Sequence, residues 1–126
     1  MKRVVLEARA FLAWFSPSNP SRTLRAEYEA GLLRVHAPTM FPLHVLEVAA
    51  GIEGLSRDRL AELAGEVDRL GFALQDPPAA ELAIWLTSGL SGVHAQYAAL
   101  ATYLDIPLVT TDADLLRQAS NVAQEP

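Results

Sequence analysis

The sequence predicts an α/β protein, a three-layer α/β/α domain with a central, mostly parallel sheet of four to five strands. Short β-branched apolar segments alternate along the chain with longer segments of helical periodicity. Strands that are separated by helical connections pair in parallel and are covered by helices on both faces. The chain has 126 residues, of which 51% are hydrophobic and 20% charged, and this suits one globular domain spanning residues 1–126.

Four segments are predicted as strands because they are short, apolar and bounded by charged or turn residues. They are residues 2–7, 32–38, 72–75 and 106–111. The first reads KRVVLE and delivers Glu7 directly after three apolar residues, with Arg9 close behind. A carboxylate at that point belongs either to a surface ion pair at a strand end or to a site.

The remaining segments are predicted as helices from their length and apolar spacing. They are residues 8–15, 22–30, 41–52, 57–70, 77–89, 92–105 and 113–120. The clearest is 57–70, which begins after Ser56, ends at Gly71 and places Leu60, Leu63, Val67 and Leu70 on one face. The last residues, 119–126, are predicted to form a frayed tail.

Composition and charge exclude several classes of protein. The net charge of -5 excludes a general nucleic-acid coating protein, although an acidic chain can act on nucleic acid through a metal or a basic partner. The chain has no cysteine, which excludes disulfides and thiolate metal sites. No apolar run is long enough to span a bilayer and no signal peptide is recognisable, so we expect a cytoplasmic protein without membrane contact.

Three acids and one histidine are the candidate site residues. Glu7 and Asp112 follow predicted strands, where ligands bind in parallel α/β folds. Glu47 lies on a mostly apolar helix, where a carboxylate is costly to bury unless it is paired or bound to a cation. Each has a structural alternative: Glu47 on a polar helix edge, Asp112 as a helix N-cap, and His94 as a surface or satisfied core residue.

Three stretches share one family's residue pattern: VVLEARAFLAWF (4–15), PLHVLEV (42–48) and LSGVHAQYAALATYLDIPLVTTDADL (90–115). The third agrees best. Its matching residues are Leu90, Ser91, Ala95, Tyr97, Leu100, Ala101, Pro107, Leu108, Val109, Thr110 and Asp112. In these stretches the chain resembles the PIN domain, the small metal-dependent nuclease fold of VapBC-type toxins. The resemblance covers roughly residues 3–119.

The resemblance implies a metal-dependent endoribonuclease that acts on single-stranded RNA. Carried over by position, Glu7, Glu47 and Asp112 would be the metal ligands and His94 would complete the catalytic set, with a metal-activated water attacking the phosphodiester. Thr110 and Thr111 would support the site. The basic residues predicted to contact phosphate are Lys2, Arg9, Arg22 and Arg25.

Three positions depart from the family pattern. Glu7 and His94 stand where the family has Asp, and Arg9 stands where it usually has a small polar residue such as Ser. At Glu7 the carboxylate reaches one methylene farther. At His94 the change removes a charge and a hard oxygen ligand, which weakens binding of Mg²⁺ more than of Mn²⁺. Arg9 either pairs with Glu7 or Asp112 and replaces the metal, or extends into solvent. The departures predict a weakened or lost nuclease, with Mg²⁺ or Mn²⁺ as cofactor if active and otherwise none.

Two further classes of function compete with the nuclease. One is a catalytically inactive PIN-like module that acts through a homodimer surface and the binding of a small antitoxin protein, both of which the resemblance implies. Apolar residues that would serve such surfaces, with core packing as the alternative for each, are Phe11, Trp14, Phe15, Leu32 and Trp85. The other is a response-regulator-like module, which also places acids at strand ends but lacks the Leu-Ser-x-x-x-Ala-x-Tyr spacing.

Overall fold

Five parallel strands form one sheet in the computed structural model, which describes residues 1–18, 20–52 and 54–126. The strands are β1 (Lys2–Leu6), β2 (Leu33–Ala37), β3 (Ala73–Leu74), β4 (Leu108–Val109) and β5 (Ala123–Gln124). Their order across the sheet is β3-β2-β1-β4-β5, and every neighbouring pair is parallel. The predicted α/β fold with a largely parallel sheet is confirmed. The order differs from the 2-1-3-4-5 order of response-regulator-like folds, which argues against that alternative.

Seven α-helices connect and cover these strands in the described part of the chain. They are α1 (Ala8–Leu12), α2 (Arg22–Glu29), α3 (Phe41–Ala50), α4 (Arg57–Asp68), α5 (Ala79–Thr87), α6 (Gly92–Leu104) and α7 (Ala113–Gln118). A 3₁₀ turn, Ala13–Phe15, extends α1. The Ser56 hydroxyl accepts a hydrogen bond from the Arg59 amide at 3.1 Å, so the predicted start of α4 rests on a side-chain N-cap.

The core lies on the central strand β1 and the alanine-rich helix α6. Val4, Val5 and Leu6 have no exposed surface, as expected of a parallel strand covered on both faces. Helix α6 buries a run of small side chains from Ala95 to Ala101, together with Tyr97 and Leu100. Small residues let a helix approach closely, so α6 can position residues of its first turn near the carboxyl ends of β1 and β4.

The carboxyl terminus corrects the prediction of a frayed tail at 119–126. Ala123 and Gln124 form the edge strand β5, and the amides of Leu108 and Thr110 donate to the carbonyls of Val122 and Gln124 at 2.9 and 3.0 Å. The segment NVAQEP has no run of apolar residues that would predict a strand. Its strand conformation comes from the free hydrogen-bonding edge of β4.

No helix in the described ranges has both the length and the apolar character needed to cross a membrane. The longest, α6, has 13 residues, whereas a transmembrane helix needs about 20 apolar residues.

Candidate functional site

The carboxyl ends of β1 and β4 bring Glu7, Thr110 and Asp112 together. The pairing of Leu6 with Val109 fixes the two strand ends side by side, and the Glu7 amide donates to the Val109 carbonyl at 3.0 Å. The Thr110 hydroxyl donates to Glu7 Oε1 at 2.8 Å, and the Asp112 amide donates to Thr110 Oγ1 at 2.9 Å. We call Glu7, Arg9, His94, Thr110 and Asp112 the strand-end cluster.

Glu7 is wholly buried, and both of its carboxylate oxygens are used. While Oε1 accepts from Thr110, Oε2 accepts from the Arg9 amide at 2.9 Å, which makes Glu7 the N-cap of α1. Burial raises the pKa of the Glu7 carboxyl, and the Asp112 charge adds to the rise; the bonds from the Arg9 amide and Thr110 oppose it. Both Glu7 oxygens therefore belong to a structural hydrogen-bond network.

Asp112 is the N-cap of α7 and also faces two basic side chains. Its Oδ1 accepts from the Leu115 amide at 3.0 Å. Its Oδ2 lies 3.5 Å from Arg9 Nε and 3.7 Å from His94 Nε2. The N-cap alternative raised by the sequence thus holds for one oxygen, and the other oxygen is available for electrostatic contacts.

The Arg9 side chain reaches Asp112, and 53% of the Arg9 side chain is exposed to solvent. Its contact with Asp112 is a single ion pair through Nε, and a pair this exposed contributes about 0–1 kcal/mol to stability. Of the two alternatives for Arg9, the structure has the one in which the guanidinium pairs with an acid.

Glu47 lies on α3, and its side chain is exposed to solvent. Among the described residues, no hydrogen bond or ion pair joins it to Glu7 or Asp112. Its charge reaches His44 one turn earlier on the same helix, where it opposes the fall in the pKa of that imidazole. The polar-edge alternative for Glu47 is therefore the arrangement in this structure.

A pair of residues that the sequence analysis did not select connects α3 to the core. His44 Nδ1 and the Tyr97 hydroxyl lie 2.7 Å apart, although 53 positions separate them in the chain. Burial raises the pKa of Tyr97, so the phenol keeps its proton and we assign it as the donor. Burial, then the nearby His94 and Arg9, lowers the pKa of His44. The Tyr97 match in the family pattern was the one signal that could have found this pair.

The predicted supporting and phosphate-contacting residues are dispersed. Thr110 joins the strand-end cluster, whereas Thr111 is exposed and makes no described contact with it. Lys2 lies at the other end of β1 and pairs with Glu27 at 3.3 Å. Arg25 pairs with Glu29 at 2.9 Å and stacks over Phe15, and Arg22 is exposed at the start of α2. Arg9 is the basic residue of that set at the cluster.

The residues present do not fit a bound Mg²⁺ or Mn²⁺ in this arrangement. The described residues contain no group of three or more His, Asp or Glu side chains that could hold a metal ion. Both Glu7 oxygens already accept hydrogen bonds, and one oxygen of Asp112 caps a helix while the other faces a guanidinium. Hard cations need several oxygen ligands at about 2.1–2.6 Å, whereas each oxygen here already accepts a hydrogen bond or faces a basic side chain. The metal and catalytic roles of these residues stay predictions.

An apolar groove lies between the end of α1 with its 3₁₀ turn and helices α3 and α4. Its volume is about 530 Å³, and its lining includes Leu12, Phe15, Ile52, Leu55 and Leu63, with charged groups at its rim. Phe15 and Ile52 are 49% and 52% exposed.

The apolar residues proposed from the sequence as surface residues divide into two sets. Phe11, Trp14 and Trp85 are buried in the core, so core packing holds for them. Phe15 and Leu32 are exposed, and Phe15 lines the apolar groove, whereas Leu32 is not part of its lining.

Comparison with known proteins identifies the fold. No protein-family profile matches the chain, and no curated protein matches it by sequence. PAE2754 from Pyrobaculum aerophilum superposes with a TM-score of 0.73 at 19% identity, covering 98% of this chain and 89% of that one. FitAcB from Neisseria gonorrhoeae gives 0.70 at 14% identity, with coverage of 98% and 97%. FitAB bound to an IR36 DNA fragment gives 0.67 at 16%, with coverage of 98% and 94%. The chain shares the complete fold of these proteins, a PIN-like three-layer α/β/α fold.

Proposed function

We propose that the chain is a toxin-type PIN-like module that works by binding a small, basic antitoxin-type protein, and that its metal-dependent ribonuclease activity is weak or absent. The observation that carries the proposal is the Arg9–Asp112 ion pair at the end of β4, beside a Glu7 whose oxygens both accept hydrogen bonds. In a nuclease of the resembled family, a cation would take the place that these contacts fill.

Charge explains why Arg9 opposes metal binding. Divalent affinity rises with the number of charged oxygen ligands, and His94 stands in place of one of them. The guanidinium adds a fixed positive charge beside the remaining free oxygen of Asp112, so an incoming cation meets repulsion as well as a lost ligand. Both changes act in the same direction.

A divalent-cation titration by calorimetry tests this step. We expect no measurable Mn²⁺ or Mg²⁺ binding at sub-millimolar concentrations in the wild type. Arg9→Ser should gain at least about tenfold in Mn²⁺ affinity, equivalent to about 1.4 kcal/mol, since it removes the competing charge. The combined Arg9→Ser and His94→Asp variant should gain more, because it also restores a carboxylate. Tight wild-type binding that disappears in Glu47→Ala would contradict the proposal and favour an intact metal site.

The partner surface is the apolar groove. An exposed apolar concavity with a charged rim is a common feature of protein-binding sites. The net charge of -5 favours a basic partner. FitAB was solved with a DNA fragment, which supports the idea that a PIN-like chain can belong to a nucleic-acid-bound assembly. An acidic chain would reach nucleic acid through that basic partner rather than by itself.

Co-expression with a small basic protein of the antitoxin type, sought first among the products of neighbouring genes, tests the partner. A charge placed in the groove, Ile52→Asp, should abolish the complex, because it puts an unpaired carboxylate in an apolar contact. Ile84→Asp on α5 is the matched control, since Ile84 is 62% exposed and lies outside the groove. Light scattering on each variant also tests the predicted homodimer. Loss of the complex in the control alone would place the partner elsewhere.

A ribonuclease remains the second candidate, because the Arg9–Asp112 pair is held weakly. A half-exposed pair contributes about 1 kcal/mol or less, so a phosphate group of single-stranded RNA could draw the guanidinium away from Asp112. Cleavage of a fluorescent single-stranded RNA by the wild type in Mn²⁺, abolished by Asp112→Asn, would support this candidate. Cleavage that appears only after Arg9→Ser would support the main proposal.

A further inference from the structure

Two arginines stand opposite each other on neighbouring strands, far from the strand-end cluster. Arg3 on β1 pairs in register with Arg34 on β2, and both side chains are exposed. In the described ranges 1–18, 20–52 and 54–126, no carboxylate lies within ion-pair distance of either guanidinium. Like charges placed directly across a sheet destabilise it. The chain carries 15 acidic residues, yet none of those in the described ranges supplies this pair with a counter-charge.

A buried histidine lies on the same face, two residues beyond Arg34. His36 is 5% exposed, and Arg3 Nε donates to its Nε2 at 3.2 Å. Because Nε2 accepts, the proton of the neutral ring is assigned to Nδ1. Nδ1 is buried and has no hydrogen-bond partner. Nδ1 has no contact with solvent, so the ring meets the exposed arginines through Nε2, which holds the Arg3 side chain in place.

We propose that Arg3 and Arg34 form a binding site for a phosphate group, with His36 holding the Arg3 side chain in place. The two exposed guanidiniums offer the hydrogen-bond donors: the Arg3 N–H groups that do not bond to His36, and those of Arg34. A phosphate dianion offers several acceptor oxygens in tetrahedral array and offsets two adjacent cations, whereas one carboxylate offsets a single cation. Binding would offset the repulsion across the sheet and supply acceptors for these N–H groups.

The site is separate from the proposed function. Arg3 precedes Glu7 by four positions on an extended strand, a distance of about 13 Å. The phosphate can come from free inorganic phosphate or from a nucleotide or nucleic-acid terminus, and the chemistry of recognition is the same. Partner binding in the apolar groove and metal binding at the strand-end cluster can both fail without affecting this site.

Titration with inorganic phosphate at constant ionic strength tests the proposal. Calorimetry and the imidazole NMR signals of His36 are the readouts. In the wild type we expect binding heat, a rise in melting temperature and a shift of the His36 resonances. Arg34→Gln should bind phosphate about tenfold more weakly. Arg34→Lys should fall in between, because it keeps the charge and loses the guanidinium fork. The exposed Arg57→Gln on α4 is the matched control and should bind as the wild type does.

Stability without phosphate gives an independent readout. Arg34→Gln should raise the melting temperature, because it removes the like-charge contact, whereas a merely structural arginine would lower it. A 5′-phosphorylated oligonucleotide compared with its unphosphorylated form separates a nucleic-acid source from free phosphate; either source supports the site. Absence of phosphate binding up to 10 mM, or an equal loss of affinity in Arg57→Gln, would overturn the proposal.

Discussion

Strand β1 carries charged groups at both ends, and the two ends are built differently. Beyond its carboxyl end, Glu7 and Asp112 have hydrogen-bond donors and basic neighbours within the chain. Near its amino end, Arg3 and Arg34 face each other without a described carboxylate partner. The expected ligand edge of a parallel sheet is thus internally satisfied, and the opposite end is not. Position in the fold alone therefore does not show which charged groups lack a partner within the described chain.

The largest effect in this comparison is expected at Glu7. Glu7→Ala removes a buried carboxylate and leaves the Thr110 hydroxyl and the Arg9 amide without their acceptor. We expect a loss of about 3 kcal/mol in the free energy of unfolding, measured by urea denaturation. Glu47→Ala, on the exposed side of α3, should change it by about 0.5 kcal/mol or less. Similar losses for the two variants would mean that Glu47 also belongs to the buried network.

A smaller effect is expected where helix α3 is connected to the core. Tyr97→Phe removes the hydroxyl that bonds to His44 Nδ1 at 2.7 Å, while the buried ring remains. The expected loss is about 1–2 kcal/mol, since the imidazole nitrogen loses its donor and the Ala8 amide loses its acceptor. Tyr103→Phe on the exposed side of the same helix is the control and should have no measurable effect. A wild-type stability for Tyr97→Phe would show that the His44 contact contributes nothing to folding.

Sequence reasoning predicted most of the fold because the strands β1, β2 and β4 and the helix boundaries depend on local apolar runs and turn residues. Strand β5 could not be predicted this way, since Ala123 and Gln124 owe their conformation to the edge of β4. The strand ends also predicted that Glu7 and Asp112 meet.

The side-chain environments at the site were harder to predict than the elements that hold them. A helix pattern with one carboxylate does not say whether Glu47 turns to water, and a 3.6-residue period cannot pair His44 with a residue 53 positions away. The positions of the strands and helices followed from local sequence rules. The contacts between side chains depend on which faces of these elements pack together.

The Arg9–Asp112 contact should matter little for stability, in contrast to Glu7. Arg9→Ser removes a half-exposed ion pair and should change the free energy of unfolding by less than about 1 kcal/mol. The Arg9 backbone amide, which donates to Glu7 Oε2, stays in place. Urea denaturation at low and at high salt measures this, because an exposed pair is screened by salt. A loss as large as that of Glu7→Ala would mean that the side chain has a packing role and does not serve mainly to balance charge.

The smallest expected effect is a change in pH dependence at the amino end of β1. Burial, then Arg3 and Arg34, lowers the pKa of His36 below 6.5. In the window between the folded-state pKa and 6.5 the unfolded chain binds more protons, so stability is present above pH 6.5 and is lost as the pH falls through the folded-state pKa. Arg34→Gln removes one cause of the lowering. Its stability should therefore fall less steeply than that of the wild type when urea denaturation is followed from about pH 8 to about pH 5. The contribution of His44 is expected to be the same in every variant. Arg57→Gln should reproduce the wild-type slope of stability against pH. The same slope in Arg34→Gln would mean that the two arginines do not act on His36.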